Sequence, residues 1–285
     1  MTRYTVTEPI SLGDCLAKLL AEASGRTRKQ MLAGGRVSVN DRVVRRANAS
    51  LAPGDVVEIG AKRAGRPVLP AELRLVHEDD DVLVVDKPAG MLTIATERER
   101  VRTVYARLRV YLQAQSKRLF VVHRLDRLAS GLLVFATSPE AKQALQAQFA
   151  AHTAERVYVA VVDGRLERPS GSITRRLMDD APGRVRETRD PTRGRRAVTH
   201  WRVLRAGRAH TLLEIRLETG RRNQIRVHLA GFGHPIAGDA AYGSRSDPFG
   251  RLALHARALG FDHPQSGVRM RFVSEGPAAW RDLPA

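Results

Sequence analysis

The chain has 285 residues, 43% of them hydrophobic, and 48 Lys+Arg against 30 Asp+Glu give it a formal charge of +18. That length leaves room for one large domain and a small one, the lone Cys15 excludes an intrachain disulfide, and no apolar run approaches membrane-spanning length. So large a charge excess points to a polyanion, most often nucleic acid, although its Arg-rich character also fits a GC-rich genome. A monomer in the reducing cytoplasm is expected, with no membrane association, since Met1-Thr2-Arg3-Tyr4 opens no signal-peptide core.

Ser11 with Asp14 predicts a capped helix start, after which Leu12, Cys15, Leu16, Leu19 and Leu20 share one apolar helical face. Thr27 and Gln30 have capping-box spacing and predict a second short helix that Gly34-Gly35 ends. Val37 and Val39 alternate before an Asn40-Asp41 turn into Val43-Val44, and Pro53-Gly54-Asp55 turns the chain into Val56, Val57 and Ile59. Residues 1–60 thus read as a small unit of two helices packed on a small sheet.

Its cations fall in a pattern. Arg26, Arg28 and Lys29 open the second helix, Arg36 follows the glycine stop, and Arg42, Arg45 and Arg46 surround the hairpin. Cations at a helix N-terminus oppose the macrodipole, so helix stability does not explain them. Phosphates would take both the side chains and the free backbone N–H groups; the plainer reading is a solvated basic face. Thr27-Arg28-Lys29-Gln30-Met31, Gly35-Arg36-Val37-Ser38-Val39-Asn40 and Pro53-Gly54-Asp55-Val56-Val57 together resemble the S-four-type RNA-binding domain of ribosomal proteins and RNA-modifying enzymes. Arg28, Lys29, Arg36, Arg45 and Arg46 are then the expected phosphate contacts, with Arg28 and Lys29 foremost.

Residues 61–70 have linker composition, with two prolines, one glycine and three cations, which leaves residues 71–285 as the second domain. Strands are predicted at Leu73 to Val76 and Val82 to Val85, on either side of an Asp79-Asp80-Asp81 turn. Lys87-Pro88-Ala89-Gly90 reads as a turn with a phosphate contact, without the glycine spacing of a phosphate loop. Helices follow at Thr103 to Leu112 and after Ser138-Pro139, where Ser caps and Pro takes the first helical position. Val157 to Val162 and Leu212 to Leu217 are strand-like, and Arg184 to Arg196 reads as an exposed loop or hairpin tip. The nine His and the single Cys never fall at metal-ligand spacing, so no metal is expected.

Within Val121 to Ala136, two apolar runs flank a charged knot, Asp126 between Arg124 and Arg127. Arginines would hold the carboxylate ionised in partly dry surroundings, as suits a nucleophile or general base. An Asp–Arg pair that merely ties two strands together fits the stretch equally well.

The blocks Glu78 to Gly90, His123-Arg124-Leu125-Asp126 with Ser130-Gly131, Arg156 to Ala160, Thr219 to His228, Gly233 to Asp239 and Leu254-His255-Ala256 resemble the RluA-type pseudouridine synthases, in the same order. The resemblance implies an α+β fold with a mixed, mainly antiparallel sheet and flanking helices. It also implies isomerisation of uridine to pseudouridine in RNA, ribosomal RNA foremost and transfer RNA as an alternative substrate. Asp126 matches the catalytic aspartate, Arg226 the basic residue paired with it, and Tyr158 the active-site tyrosine. Arg124 matches the arginine that fills the stack when the target base is flipped out. Ala129 and Asn223 depart from the Thr and His usual in the family.

The reaction moves the sugar from uracil nitrogen 1 to carbon 5 without redox change or loss of a group, so no cofactor is expected. A carboxylate would attack carbon 1′ or take the carbon 2′ proton, and both stay open here. Tyr158 would stack on the base while its hydroxyl helps remove the carbon 5 proton. Without the resemblance, Tyr158 reads as a strand core residue, Arg226 as the exposed face of a helix, and His123, His228, His234 and His255 as structural. Two other functions compete. A weakly active assembly factor conflicts with intact Asp126, Tyr158 and Arg226. A methyltransferase or metal nuclease would need a glycine-rich cofactor loop or clustered carboxylates, and neither is found in the sequence.

Overall fold

The computed structural model describes residues 2–60, 69, 71–97, 99–113, 115, 117–181 and 183–281. The chain divides into two compact units, residues 1–67 and 68–285. Most of the stretch read as a linker lies outside the described residues.

The first unit runs β1 (Thr2–Thr5), β2 (Ile10–Ser11), α1 (Leu12–Leu19), α2 (Gly25–Ala33), β3 (Val37–Val39), β4 (Arg42–Val43), β5 (Ser50–Leu51) and β6 (Val56–Ile59). Strands order β1-β6-β3-β4 in an antiparallel sheet, and β2 pairs with β5. Ser11 caps α1 as its sequence predicts, accepting from the Asp14 N–H. Asn40 and Asp41 both take positive φ, the geometry of a tight hairpin turn. The start of α2 differs from expectation. Its cap is Ser24, which accepts from the Thr27 N–H, so the helix opens three residues before the predicted Thr27 and Gln30 box. Ser24 wins because its hydroxyl also bonds the Thr27 hydroxyl at 2.9 Å. β1, unrecognised in the sequence, zips onto β6 from Thr2↔Ile59 to Thr5↔Val56.

The second unit runs β7 (Arg74–Glu78), β8 (Val82–Lys87), α3 (Val104–Gln113), β9 (Phe120–Val121), β10 (Ser130–Ala136), α4 (Pro139–Ala150), β11 (Glu155–Asp163), β12 (Ser170–Ala181), β13 (Arg184–Thr188), β14 (Arg195–Ala206), β15 (His210–Leu217), α5 (Gln224–Gly231), β16 (Leu254–Asp262) and β17 (Arg269–Val273). Its sheet orders β13-β12-β14-β15-β11-β16-β10-β8-β7, with β17 on β16 and β9 on β10. The architecture is mixed and mostly antiparallel. Residues 184–188 are not a loop: they form the edge strand β13 against β12, Arg176↔Thr188 to Ala181↔Arg184, and only the turn beyond them fits the expected tip.

β8 and β10 are covered on both faces, which explains their unbroken apolar runs. Leu83, Val85, Leu133 and Phe135 pack with Val104, Leu108 and Leu112 of α3. Val82, Val84, Leu132 and Val134 pack with Ala141 and Leu145 of α4. Two antiparallel halves of the sheet meet where β10 lies parallel to β16, at Ser130↔His255 and Gly131↔Ala256. Gly131 has φ +111°, and a Cβ there would lie 2.3 Å from the Ala256 carbonyl oxygen, so this junction admits glycine alone. The loop entering β10 at that junction carries Asp126. Among the described residues no helix is long and apolar enough to cross a membrane.

Candidate active site

The loop bearing Asp126 is held from behind by the turn after β8. Thr93 Oγ1 donates to the Leu125 carbonyl at 2.9 Å and accepts from the Leu125 N–H at 3.1 Å. On the other side of Asp126, the Arg127 carbonyl accepts from the Gly90 N–H at 2.8 Å and from Lys87 Nζ at 3.2 Å. Lys87 is fully buried, and Pro88 and Met91 carbonyls take its other two protons at 2.9 and 2.8 Å. Its ammonium is therefore a fastener for the loop and corrects the expected phosphate contact. Burial lowers its pKa to about 7, while the nearby Asp126 pulls it upward.

Asp126 faces a cavity of about 510 Å³ lined by Arg124, Ala129, Arg156, Tyr158, Arg221 and Arg226, among others. Among the described residues no protein donor hydrogen-bonds its carboxylate. The nearest cation is Arg226, Nη1 to Oδ2 3.8 Å. With 22% of the side chain exposed, toward the cavity, desolvation raises the Asp126 pKa against the pull of Arg226, Arg124 and Lys87. The expectation that flanking arginines simply hold it ionised is corrected: burial is the larger effect, and Arg127 takes no part, its Nε donating to the Gly90 carbonyl at 3.1 Å.

Arg226 comes from α5, and neither of the two readings of its sequence described it fully. It is buried, 10% exposed, and its main partner is Asp239, 1% exposed, which it grips in a two-pronged pair at 2.7 and 2.8 Å. Tyr242 lies beneath the guanidinium at 4.8 Å. Asn223 sits at the left-handed cap of α5, φ +52°, where Asn is among the few residues tolerated. Its amide donates to the Tyr242 hydroxyl at 3.0 Å and its Oδ1 accepts from Arg226 at 3.4 Å. A partly dry carboxylate, an anchored guanidinium and a tyrosine share one pocket.

A family model described as RNA pseudouridylate synthase matches residues 81–231, and an S4 domain model matches residues 5–64. An uncharacterized RNA pseudouridine synthase of Bacillus subtilis, YlyB, is 38% identical over 90% of this chain and 86% of its own. The ribosomal large subunit pseudouridine synthase D of Pseudomonas aeruginosa is 36% identical over 93% of this chain and 88% of its own. This chain belongs to the RluA-type RNA pseudouridine synthases. Their class is isomerase. The fold agrees with the human RNA pseudouridylate synthase domain containing 4, TM-score 0.61 at 21% identity over 74% of this chain and 95% of that one.

In this synthase Tyr158 is buried, and its phenol is pushed up to about 12 by desolvation, Asp126 adding to the rise and Arg156 opposing it. A neutral hydroxyl is therefore what the pocket presents, which suits a proton relay better than a phenolate base. His123 is neutral: burial lowers it to about 3, its Nε2 accepts from the Val134 N–H, and it stacks on Phe149 at 4.5 Å. His228, His234 and His255 bond Thr199, the Asp163 carbonyl, and Ser130 with the Ser274 carbonyl. Arg124 is exposed, and among the described residues nothing in the chain binds its guanidinium.

Asp79, Asp81 and His263 lie within metal-binding reach of one another, a grouping the sequence spacing did not show. Their chemistry argues for a polar contact without a cation instead. His263 Nδ1 accepts the Gln265 and Ser266 N–H groups, so Nε2, 3.3 Å from Asp79 Oδ2, carries the ring proton and offers no lone pair to a cation.

In the first unit, Arg28 is committed: its guanidinium donates to the carbonyls of Leu20, at 3.2 Å, and Ala23, closing the end of α1. With α2 opening at Gly25, Arg28 and Lys29 stand in its second stretch of chain rather than at its start, which corrects their expected place as helix-start phosphate ligands. Lys29, Arg45 and Arg46 are exposed, and Arg36 is exposed with its Nε on the Gly60 carbonyl at 3.0 Å.

Proposed function

We propose that this synthase isomerises specific uridines of the 23S ribosomal RNA, with Asp126 as the catalytic carboxylate on a flipped-out nucleotide. The observation that carries the reading is the Asp126 carboxylate, without a hydrogen bond from any of the described residues, beside an arginine that Asp239 fixes in place. Because burial raises the Asp126 pKa, the carboxylate is more basic and more nucleophilic than a solvated one, while Arg226 favours its ionised form. Asp126 then forms a bond to carbon 1′ or takes the carbon 2′ proton, and uracil departs with the electron pair of its nitrogen 1 bond. Tyr158 stacks on the base and relays the carbon 5 proton after the new bond forms. Arg124, free and exposed at the pocket rim, fills the stack the uridine leaves.

The substrate assignment rests on relatives named for the ribosomal large subunit. Lys29, Arg36, Arg45 and Arg46 supply phosphate contacts that hold the RNA without choosing the uridine. Two measurements test the reading: tritium release from 23S transcript labelled at uridine carbon 5, and pseudouridine mapping in cells lacking the gene. Release by the purified protein and loss of defined pseudouridines from 23S RNA are expected. No release, or an unchanged 23S map, would overturn the respective half.

A further inference from the structure

Arg156 stands two residues before Tyr158 on β11, hence on the same side of the strand, and lines the same cavity. Among the described residues the two buried cations at the site bind acceptors through every charged nitrogen: Arg226 on Asp239 and Asn223, Lys87 on three carbonyls. Arg156 does not. Among the described residues no carboxylate pairs with it; Nη2 reaches the Glu218 carbonyl at 3.3 Å, and Nε is buried without a partner. Phe149 supports the guanidinium from one side at 5.6 Å. On another side stands Gly220, where a Cβ would come within 2.4 Å of Nη1, although the Gly220 backbone does not take the left-handed conformation. Glycine there keeps room for the guanidinium. Arg156 is half-buried, but its Nε is fully buried, and a buried donor without an acceptor is costly, so its retention calls for a partner that arrives from outside the chain.

Arg156, Tyr158 and Asp126 line one cavity, and Arg156 neighbours Tyr158 on the same face of β11. With the sugar at Asp126 and the base on Tyr158, Arg156 stands beside the base.

We propose that Arg156 stabilises the uracil anion while it is detached from the sugar. When the nitrogen 1–carbon 1′ bond breaks, its electron pair stays with uracil and spreads onto oxygens 2 and 4. The Arg156 N–H donors take that charge without transferring a proton. The anion then bonds carbon 1′ through carbon 5, which releases the Asp126 carboxylate from carbon 1′ or, on the elimination route, returns the carbon 2′ proton; the carbon 5 proton departs and nitrogen 1 takes up a proton, so the ring ends neutral. The inference rests on the functional reading of Asp126.

The test compares single-turnover rates on 23S transcripts made with uridine or with 5-fluorouridine, whose fluorine makes uracil a weaker base and a better leaving group. Rearrangement is read chromatographically after nuclease digestion, and affinity by filter binding. Arg156→Gln should lose about 100-fold in rate on uridine with binding within about 2-fold, and about 10-fold on 5-fluorouridine, as for loss of an anion-stabilising donor. Arg156→Lys, which keeps the charge, should recover part of the rate. Gly220→Ala, which displaces only the flexible end of Arg156, should show the same pattern more weakly. Equal losses on both RNAs, a loss carried wholly by binding (a backbone phosphate contact), or no loss would overturn the proposal. Inactive wild-type protein on the uridine transcript would instead overturn the functional reading beneath it.

Discussion

The basic face of the first unit and the pocket of the second use positive charge in opposite ways. Lys29, Arg45 and Arg46 are exposed, so solvent and salt weaken each of them and they act as a group. Arg226 and Lys87 are buried and held by fixed acceptors, Asp239 and three carbonyls, and from there both act on Asp126 in poorly screened surroundings. Arg28 shows that sequence neighbourhood does not decide which group a cation joins. It lies beside Lys29, yet it closes the end of α1. The difference predicts that damage in the pocket is steep and specific, and damage on the basic face shallow and salt-dependent.

The largest effect should come from Asp239→Ala. It leaves the Arg226 guanidinium buried without its paired acceptor, which costs about 3–5 kcal/mol. For a unit of this size that is a fall in Tm of roughly 10 °C, and turnover should be lost with it. Calorimetry and tritium release check both, and an unaltered melting curve would show that the pair does not anchor the pocket.

Tyr158→Phe keeps the ring and removes the buried hydroxyl. Folding and RNA binding should persist while product formation falls by about 100-fold. Wild-type turnover by this variant, measured by tritium release, would leave stacking as the tyrosine's whole contribution.

Removing residues 1–67 should lower RNA affinity by about 10-fold at moderate salt. The salt slope should become shallower by roughly one unit for each phosphate the shortened protein no longer neutralises. Unchanged affinity and slope in filter binding would make the basic face a solvated surface.

The smallest effect concerns pH. Arg124 is among the cations that lower the Asp126 pKa, so Arg124→Gln should raise that pKa further. Activity requires the carboxylate and falls as pH drops through its pKa. The acid limb of kcat should therefore move to higher pH. A limb that stays in place would separate Arg124 electrically from the site.

Much of this was legible in the sequence, for physical reasons that differ by element. The runs in β8 and β10 stood out because strands buried on both faces must be apolar throughout. The cap of α1 and the turn at Asn40-Asp41 were legible because short-range chemistry fixes them. β1 was not, since its sequence Thr-Arg-Tyr-Thr has no apolar pattern and its place depends on β6. The Asp239 clamp on Arg226 and the Thr93 and Lys87 grip on the Asp126 loop join residues far apart in sequence. Asp239 fell within a recognised block, and nothing local to it announces a buried ion pair. Arg156 carried no signal of its own beyond its place two residues before Tyr158.

Asp126→Asn tests the central claim most directly. The amide keeps the shape, removes the charge, and relieves a carboxylate whose raised pKa means that ionisation costs folded stability at neutral pH. The purified variant should release no tritium from carbon 5-labelled 23S transcript, bind that RNA within a few-fold of wild type, and melt at or above the wild-type temperature. Normal release by Asp126→Asn protein, or activity that disappears together with the fold, would contradict the assignment of Asp126 as the reacting carboxylate.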